Sequence, residues 1–490
     1  MGLKRVLAAL VALVVATGLV LGLVSGVFGS LAHRGLEAAG LASTTAPSTL
    51  AGSVGGPGAS ADPSTALPSG GRPAAGPTPS AGLPAPVLDG TDGRGAVSAS
   101  VLADRVAGVR VPGSGGYSGQ VRDMRTGTVL FSHRADRGAI PASTTKLVTT
   151  AAALNLLGPE HRFTTRVVAP ARGRVVLVGG GDPYLETKTS KVDPSRATLS
   201  ALARSTARAL EADGVRSVAL GYDDSLFSGP SWNPTWPGSY ADVASHVSAL
   251  WVQEGRAQVG EGVLGPRQAD PSKEAAKAFA AQLERQGIDV DGVRGAKAPK
   301  GAARVASVSS PTLERIVEHV LMTSDNDGAE VLLRQAAVAA GEPGTFAAGT
   351  SVVAAQLHDL GAWTAGTRLV DGSGLSRSTR IPAATLTKVL RAAGQDGHPR
   401  LRPLLTGLPV AGVEGSLATK FGDDESLAGR GVVRGKTGTL SKVHGLAGTV
   451  TTRDGALLAY AFLVNDPKND YNAAVWLQRV TTALSTCGCR

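Results

Sequence analysis

Three short polar segments stand in fixed order and far apart: Ser143-Thr144-Thr145-Lys146, Ser324-Asp325-Asn326 and Lys436-Thr437-Gly438-Thr439. A fold that uses all three must bring a helix start, a helix junction and a strand to one place. A lysine three residues after a serine at a helix start lies on the same face, one turn away. The helix N-terminus adds free backbone N–H groups suited to a developing oxyanion. Ser143 is therefore the candidate nucleophile and Lys146 its candidate base. An ordinary lysine, with a pKa near about 10.4, is protonated at pH 7, so the role requires a pKa lowered by burial or a second cation. A hydrogen bond from Ser324 to Lys146 would relay protons.

Ser324 and Asn326 fall where one helical pattern stops and the next begins, so a turn there points both into a cleft. Ser231-Trp232-Asn233 has the same form but sits in a Pro-rich loop at no helix junction. Lys436 to Thr439 follow the apolar pair Val432-Val433 and read as a strand, with Lys436 and Gly438 on one face and Thr437 and Thr439 on the other. Gly438 leaves room for a substrate backbone, the strand edge can accept an extended peptide, and Lys436 with a threonine hydroxyl can hold a terminal carboxylate. Each motif alone also has a plain structural reading: a capping serine with a solvated lysine, an N-cap, and an edge strand protected by a lysine. In order on one chain they read as an acyl-transfer site. No Gly-x-Ser-x-Gly occurs and the eight histidines form no supporting pattern, which argues against a Ser/His/Asp hydrolase.

The formal charge is +10 and the pI about 9.8, but the basic residues are dispersed, so nucleic acid is not an expected partner. Aromatics are only 4%, so the core must rest on Ala, Val and Leu. The two cysteines, Cys487 and Cys489, form no CxxC pair or Cys/His cluster, so a structural zinc site is not expected, nor is any other metal or cofactor. They can close a small disulfide outside the cytoplasm or stay reduced, in a tail with no catalytic role.

Lys4 and Arg5 precede an uncharged run over 6–32, long enough to cross a bilayer core of about 20 residues. The positive flank predicts a cytoplasmic N-terminus and an uncleaved signal anchor over 1–35 that holds the rest on the extracytoplasmic face; a cleaved signal with secretion is the alternative. Residues 36–96 are a Pro/Gly/Ser/Ala-rich spacer that cannot bury enough surface to fold.

The folded part begins at Val97. A hairpin is expected over 120–131, a helix over 143–157, strand-like runs such as 174–178, and a helix over 275–286. Helices over 312–321 and 328–340, strands over 432–436, 446–451 and 456–464, and a last helix over 471–484 complete the pattern. This is an α/β chain with an antiparallel sheet and helices over 97–157 and 307–490, and an inserted mixed α/β lobe over 158–306.

Further segments carry a family resemblance: 140–146 around the nucleophile, Val178-Gly179-Gly180-Gly181-Asp182-Pro183, Asp223-Asp224-Ser225-Leu226-Phe227, 371–377 and 408–417. With the three motifs they resemble a type-4 (class C, low-molecular-mass) penicillin-binding protein, of the D-alanyl-D-alanine carboxypeptidase/endopeptidase family, over about 97–486. The long separation of Ser143 from Ser324 exceeds a compact β-lactamase and suits this family. The resemblance implies a penicillin-binding-protein/serine β-lactamase-like transpeptidase fold and peptidoglycan stem peptides ending in D-Ala-D-Ala as substrate. It also implies β-lactams as acylating mimics. It makes Ser143 the nucleophile, Lys146 the base and Ser324 part of the proton relay. The N–H groups of Ser143 and Thr439 become the oxyanion hole, Asn326 orients the substrate amide, and Lys436, Thr437 and Thr439 bind the carboxylate. A catalytically silent peptidoglycan-binding protein and a β-lactamase are the competing readings.

Overall fold

The computed structural model describes residues 97–189, 193–260 and 263–489, so the expected anchor and spacer lie outside the described residues. Among those residues no helix is long and apolar enough to cross a membrane. The chain opens with α1 (Ala99–Gly108) and a hairpin of β1 (Tyr117–Asp123) and β2 (Val129–His133), turned at Gly127 with φ of 80°. A 3-10 turn, Ala142–Thr145, runs directly into α2 (Lys146–Leu157). Next come β3 (Thr164–Ala171), β4 (Arg174–Val178), α3 (Leu199–Ala212), β5 (Ser217–Asp223), β6 (Arg256–Gly260), β7 (Val263–Arg267), α4 (Pro271–Glu284), β8 (Asp289–Gly295) and β9 (Ala303–Ser309). Five helices follow: α5 (Leu313–Thr323), α6 (Asn326–Ala339), α7 (Phe346–Asp359), α8 (Ala383–Gly394) and the short α9 (Arg402–Thr406). The chain ends with β10 (Arg434–Leu440), β11 (Val443–Thr451), β12 (Leu457–Asn465) and α10 (Asp470–Ser485).

One sheet, in the order β10-β11-β12-β1-β2, is antiparallel throughout. β12 shows why it is covered on both faces. Tyr460, Phe462 and Val464 alternate with Ala459, Ala461 and Leu463, and all six are buried. The aromatic face packs against α10 (Trp476, Leu477, Val480) and α1 (Leu102, Val106). The alanine face lets α8 approach closely with Leu386 and Val389, and Leu147, Val148 and Ala151 of α2 belong to the same core. Helix α2 is buried continuously from Lys146 to Leu154 and so has no polar stripe, as befits a helix enclosed by others.

The second sheet, β8-β5-β4-β3-β9, is mixed: β3 pairs antiparallel with β4 and β9, while β4, β5 and β8 run parallel. Its core joins Val167, Val175, Leu177 and Leu220 to Leu202 and Ala203 of α3 and to Phe279 and Leu283 of α4. This is the inserted mixed lobe, and its last strand runs to Ser309, past the expected edge at 306. The strand expected over 432–436 starts later, at Arg434, because Val432 and Val433 donate to Gly429 O and form a turn. The whole Lys-Thr-Gly-Thr segment therefore lies within β10, the edge strand. Cys487 and Cys489 are disulfide-bonded and buried, and Cys489 O accepts from Ser98 N at 2.6 Å, tying the tail to the start of α1.

Candidate active site

Ser143 lies in the 3-10 turn ahead of the α-helix, and Lys146 is the first residue of α2. The turn is fixed locally. Ala142 has a φ of 46°, Thr144 Oγ1 donates to Pro141 O at 2.8 Å, and Thr145 Oγ1 donates to Ala142 O at 2.8 Å. Two glycines close on it from outside. A Cβ on Gly374, whose φ is 83°, would stand 1.9 Å from Ala142 O, and one on Gly438 would stand 2.5 Å from Pro141 O. From the sequence, the open space at Gly438 is expected to admit a substrate backbone. In the structure the nucleophile turn fills it, so Gly438 serves the site by letting β10 lie against Ser143's own loop.

Lys146 is fully buried. Its Nζ contacts Ser143 Oγ at 2.9 Å and donates to Asn326 Oδ1 at 2.8 Å and Ser373 O at 2.9 Å. As an ammonium it donates to all three; as a free amine it can accept the serine proton. Burial pushes its pKa down to about 8, against the pull of the carboxylates of Asp325, Glu330, Asp371 and Asp327. At pH 7 such an amine is unprotonated in about one molecule in ten, far more often than an exposed lysine. Lys436 is equally buried, and its pKa is held well below the ordinary value by burial and by the charge of Lys146.

The expected hydrogen bond between Ser324 and Lys146 is not made. Ser324 Oγ instead accepts from Lys436 Nζ at 2.8 Å, and the place on Lys146 goes to Asn326. The reason is the turn itself. Ser324 closes α5 in the left-handed region (φ 64°, ψ 33°), which aims its side chain toward β10, while Asn326 opens α6 and faces α2. A non-glycine residue in that region is strained and must be held by its surroundings. The two lysines thus split the four groups into two pairs, Ser143 with Lys146 and Ser324 with Lys436. Lys436 Nζ also donates to Thr437 O at 3.0 Å. Thr437 is half-buried and Thr439 exposed on the edge strand, the alternation expected from the sequence.

Several residues of the site carry no motif of their own. Ser373 contributes a backbone carbonyl, and the buried Glu330 fixes that segment by accepting from Gly372 N and from Ser373 N, the latter at 2.7 Å. Ser416 and Thr437 share a hydrogen bond between hydroxyls at 3.0 Å. Segments 371–377 and 408–417 were visible as family signatures, but nothing local marked which atom in each reaches the site. Ser231-Trp232-Asn233, the other segment of the same form, lies elsewhere, with Asn233 Nδ2 donating to Val370 O and Ser231 Oγ paired with His246. The carboxylates of Glu254, Asp325 and Asp327 lie within 4.8 Å of one another beside the site. Tyr184 and Arg267 already supply donors to Asp325 and Asp327, the part a cation would otherwise play.

Known proteins resemble the chain in sequence and in fold. Residues 102–262 and 262–483 match the model of the D-Ala-D-Ala carboxypeptidase 3 (S13) family. A carboxypeptidase of Mycobacterium tuberculosis is 36% identical over 402 residues, covering 80% of this chain and 85% of the relative. The carboxypeptidase DacB of Mycolicibacterium smegmatis is 35% identical over 401 residues, covering 80% and 84%. Among solved structures, penicillin binding protein 4 (dacB) from Haemophilus influenzae superposes with a TM-score of 0.63 at 19% identity, over 78% of this chain and 98% of that one, a likeness of fold.

Proposed function

The chain belongs to the D-Ala-D-Ala carboxypeptidase 3 (S13) family, and from that premise we propose a division of labour among its residues. The protein is a serine-type D-alanyl-D-alanine carboxypeptidase that acts on peptidoglycan stem peptides and is acylated by β-lactams. Ser143 Oγ attacks the penultimate carbonyl as its proton passes to Lys146 Nζ. The N–H groups of Ser143 and Thr439 receive the oxyanion. As the C–N bond breaks, the departing D-Ala nitrogen takes the hydroxyl proton of Ser324, which Lys436 Nζ replaces; water then cleaves the Ser143 ester, its hydroxyl going to the acyl carbon and its proton to Ser143 Oγ. Asn326 orients the peptide amide while holding Lys146. The peptide lies along the free edge of β10, with its terminal carboxylate toward Lys436 and the hydroxyls of Thr437 and Thr439. Gly438 keeps that edge against the nucleophile turn.

The observation that carries this reading is the 2.9 Å contact of Lys146 with Ser143 beside the 2.8 Å contact of Lys436 with Ser324, two buried amines each on a hydroxyl. A fluorescent penicillin tests it. The native protein keeps the label through denaturation. Ser143→Ala does not, while its melting curve stays close to the native one. Label retained by the variant would move the nucleophile elsewhere. Incubation with a stem pentapeptide and with a cross-linked dimer, followed by product analysis, separates carboxypeptidase from endopeptidase action. Release of D-Ala also sets it apart from a β-lactamase and from a silent binding protein.

We further propose that the uncharged run over 6–32, flanked by Lys4 and Arg5, anchors the enzyme in the cell membrane with its catalytic part on the extracytoplasmic face. Fractionation decides it: the enzyme pellets with membranes and is released when 1–35 is deleted in favour of a cleavable signal.

A further inference from the structure

We propose that Tyr184 and Arg267, both on the inserted lobe, are positioning residues that hold Ser324 and Asn326 in their working geometry. The proposal rests on the roles of Ser324 and Asn326 given above, and it assigns the lobe a part in acylation.

Three consecutive residues, Asp325 and Asn326 of the second motif and Asp327 just after it, are gripped from the lobe. Asp325 Oδ2 accepts from the Tyr184 hydroxyl at 2.7 Å. Asn326 Nδ2 donates to Val243 O at 2.9 Å, which leaves its Oδ1 turned toward Lys146. Asp327, 2% exposed, accepts from Ser245 N at 2.7 Å and forms an ion pair with the guanidinium of Arg267, which also donates to Ser245 Oγ. Asp325 passes the restraint on, because its carboxylate caps α6 by accepting from Asp327 N at 2.9 Å and Gly328 N at 3.0 Å.

The anchors are themselves rigid. Tyr184 is buried, with the Arg196 guanidinium 4.7 Å from its ring centroid and the His319 ring in a T-shaped contact, 4.8 Å between centroids. Gly328 makes room for its hydroxyl, since a Cβ there would lie 2.7 Å from that oxygen. Arg267 ends β7 with its side chain 9% exposed. Ser324 needs such support: its left-handed backbone is not one a serine adopts unaided. Charge-assisted hydrogen bonds on both sides of Asn326, one from the turn after β4 and one from the end of β7, supply it.

Labelling with a fluorescent penicillin tests the proposal, read in two ways: the end-point label per protein, which counts folded sites, and the rate constant per labelled site. Tyr184→Phe is expected to reach the native end point with a rate constant lowered between about tenfold and a hundredfold, the size of effect a misplaced group produces. Arg267→Met behaves likewise or worse, and Arg267→Lys, which keeps a cation on Asp327, recovers part of the rate. A native rate constant in Tyr184→Phe overturns the proposal. So does a lowered end point with an unchanged rate constant, the mark of a residue that only stabilises the fold. Ser324→Ala and Asn326→Ala are run in parallel. If both acylate at the native rate, the underlying assignment of those two residues fails and the proposal falls with it; if both are slow while Tyr184→Phe is native, the lobe contact alone is refuted.

Discussion

At the scale of single residues, the site depends on taking two lysine amines out of water. Desolvation penalises the ammonium, and the surrounding carboxylates only partly restore it, so Lys146 ends at about 8. A base must be unprotonated to act. The rate constant for penicillin acylation should therefore climb about tenfold for each pH unit below about 8 and level off above it. Stopped-flow labelling across pH 6 to 9.5 checks the sign: a rate that falls as pH rises through this window would mean that the protonated amine is the working form. The same scale shows what could be read from the chain in advance. Ser143, Lys146, Ser324, Asn326 and Lys436 were legible because chemistry confines each to one or two residue types at fixed spacing. The pairing among them was not, because which amine meets which hydroxyl is set by the left-handed turn at Ser324. Ser373 lay within a family signature, but its part was unmarked for a different reason: any residue could lend the carbonyl it provides.

At the scale of elements, the nucleophile turn is squeezed between β10 and the segment that follows α7, with a glycine at each contact. Gly438→Ala should force Pro141 O and the new methyl apart, because 2.5 Å is closer than real side chains approach. The expected cost is about 1–3 kcal/mol of unfolding free energy, with acylation slowed as β10 moves away from Ser143. Urea unfolding together with labelling tests this, and unchanged values for both would show that the strand shifts freely. Helices α2, α4, α5, α6 and α10 were foreseen from apolar spacing, with ends that moved by a few residues. Helix α7 was not foreseen, since Gly349, Thr350, Ser351, Val352 and Val353 are weak helix formers; burial of Phe346, Val353 and Leu357, with the Thr345 hydroxyl capping the first turn, holds it. The β1–β2 hairpin was readable from its Thr126-Gly127 turn. The order of strands in the mixed sheet was not, because parallel partners such as β4 and β5 are joined through α3 and leave no turn signature.

At the scale of the whole molecule, α6 is where the two sheets' surroundings meet. Its first residue is Asn326, and two turns later Arg334, 1% exposed, donates to Ser228 O and Pro230 O on the lobe side and to Gly344 O before α7. The guanidinium lies over the ring of Phe346 at 4.2 Å. Arg334→Met keeps most of the packing and strands buried carbonyls, so a loss of about 3 kcal/mol or more in unfolding free energy is expected, measured by denaturant titration. A loss under about 0.5 kcal/mol would mean that water replaces the guanidinium at no expense. The enclosure of α2 has a further consequence. Since the helix that presents Ser143 is also the spine of the central hydrophobic mass, the reactive serine has no local way to come undone while the rest endures. Antibiotic capture should then act as a thermometer: across a heating ramp, the fraction of molecules still able to take up a fluorescent penicillin should trace the circular-dichroism curve point for point. A gap of more than a few degrees would reveal a catalytic centre that softens on its own.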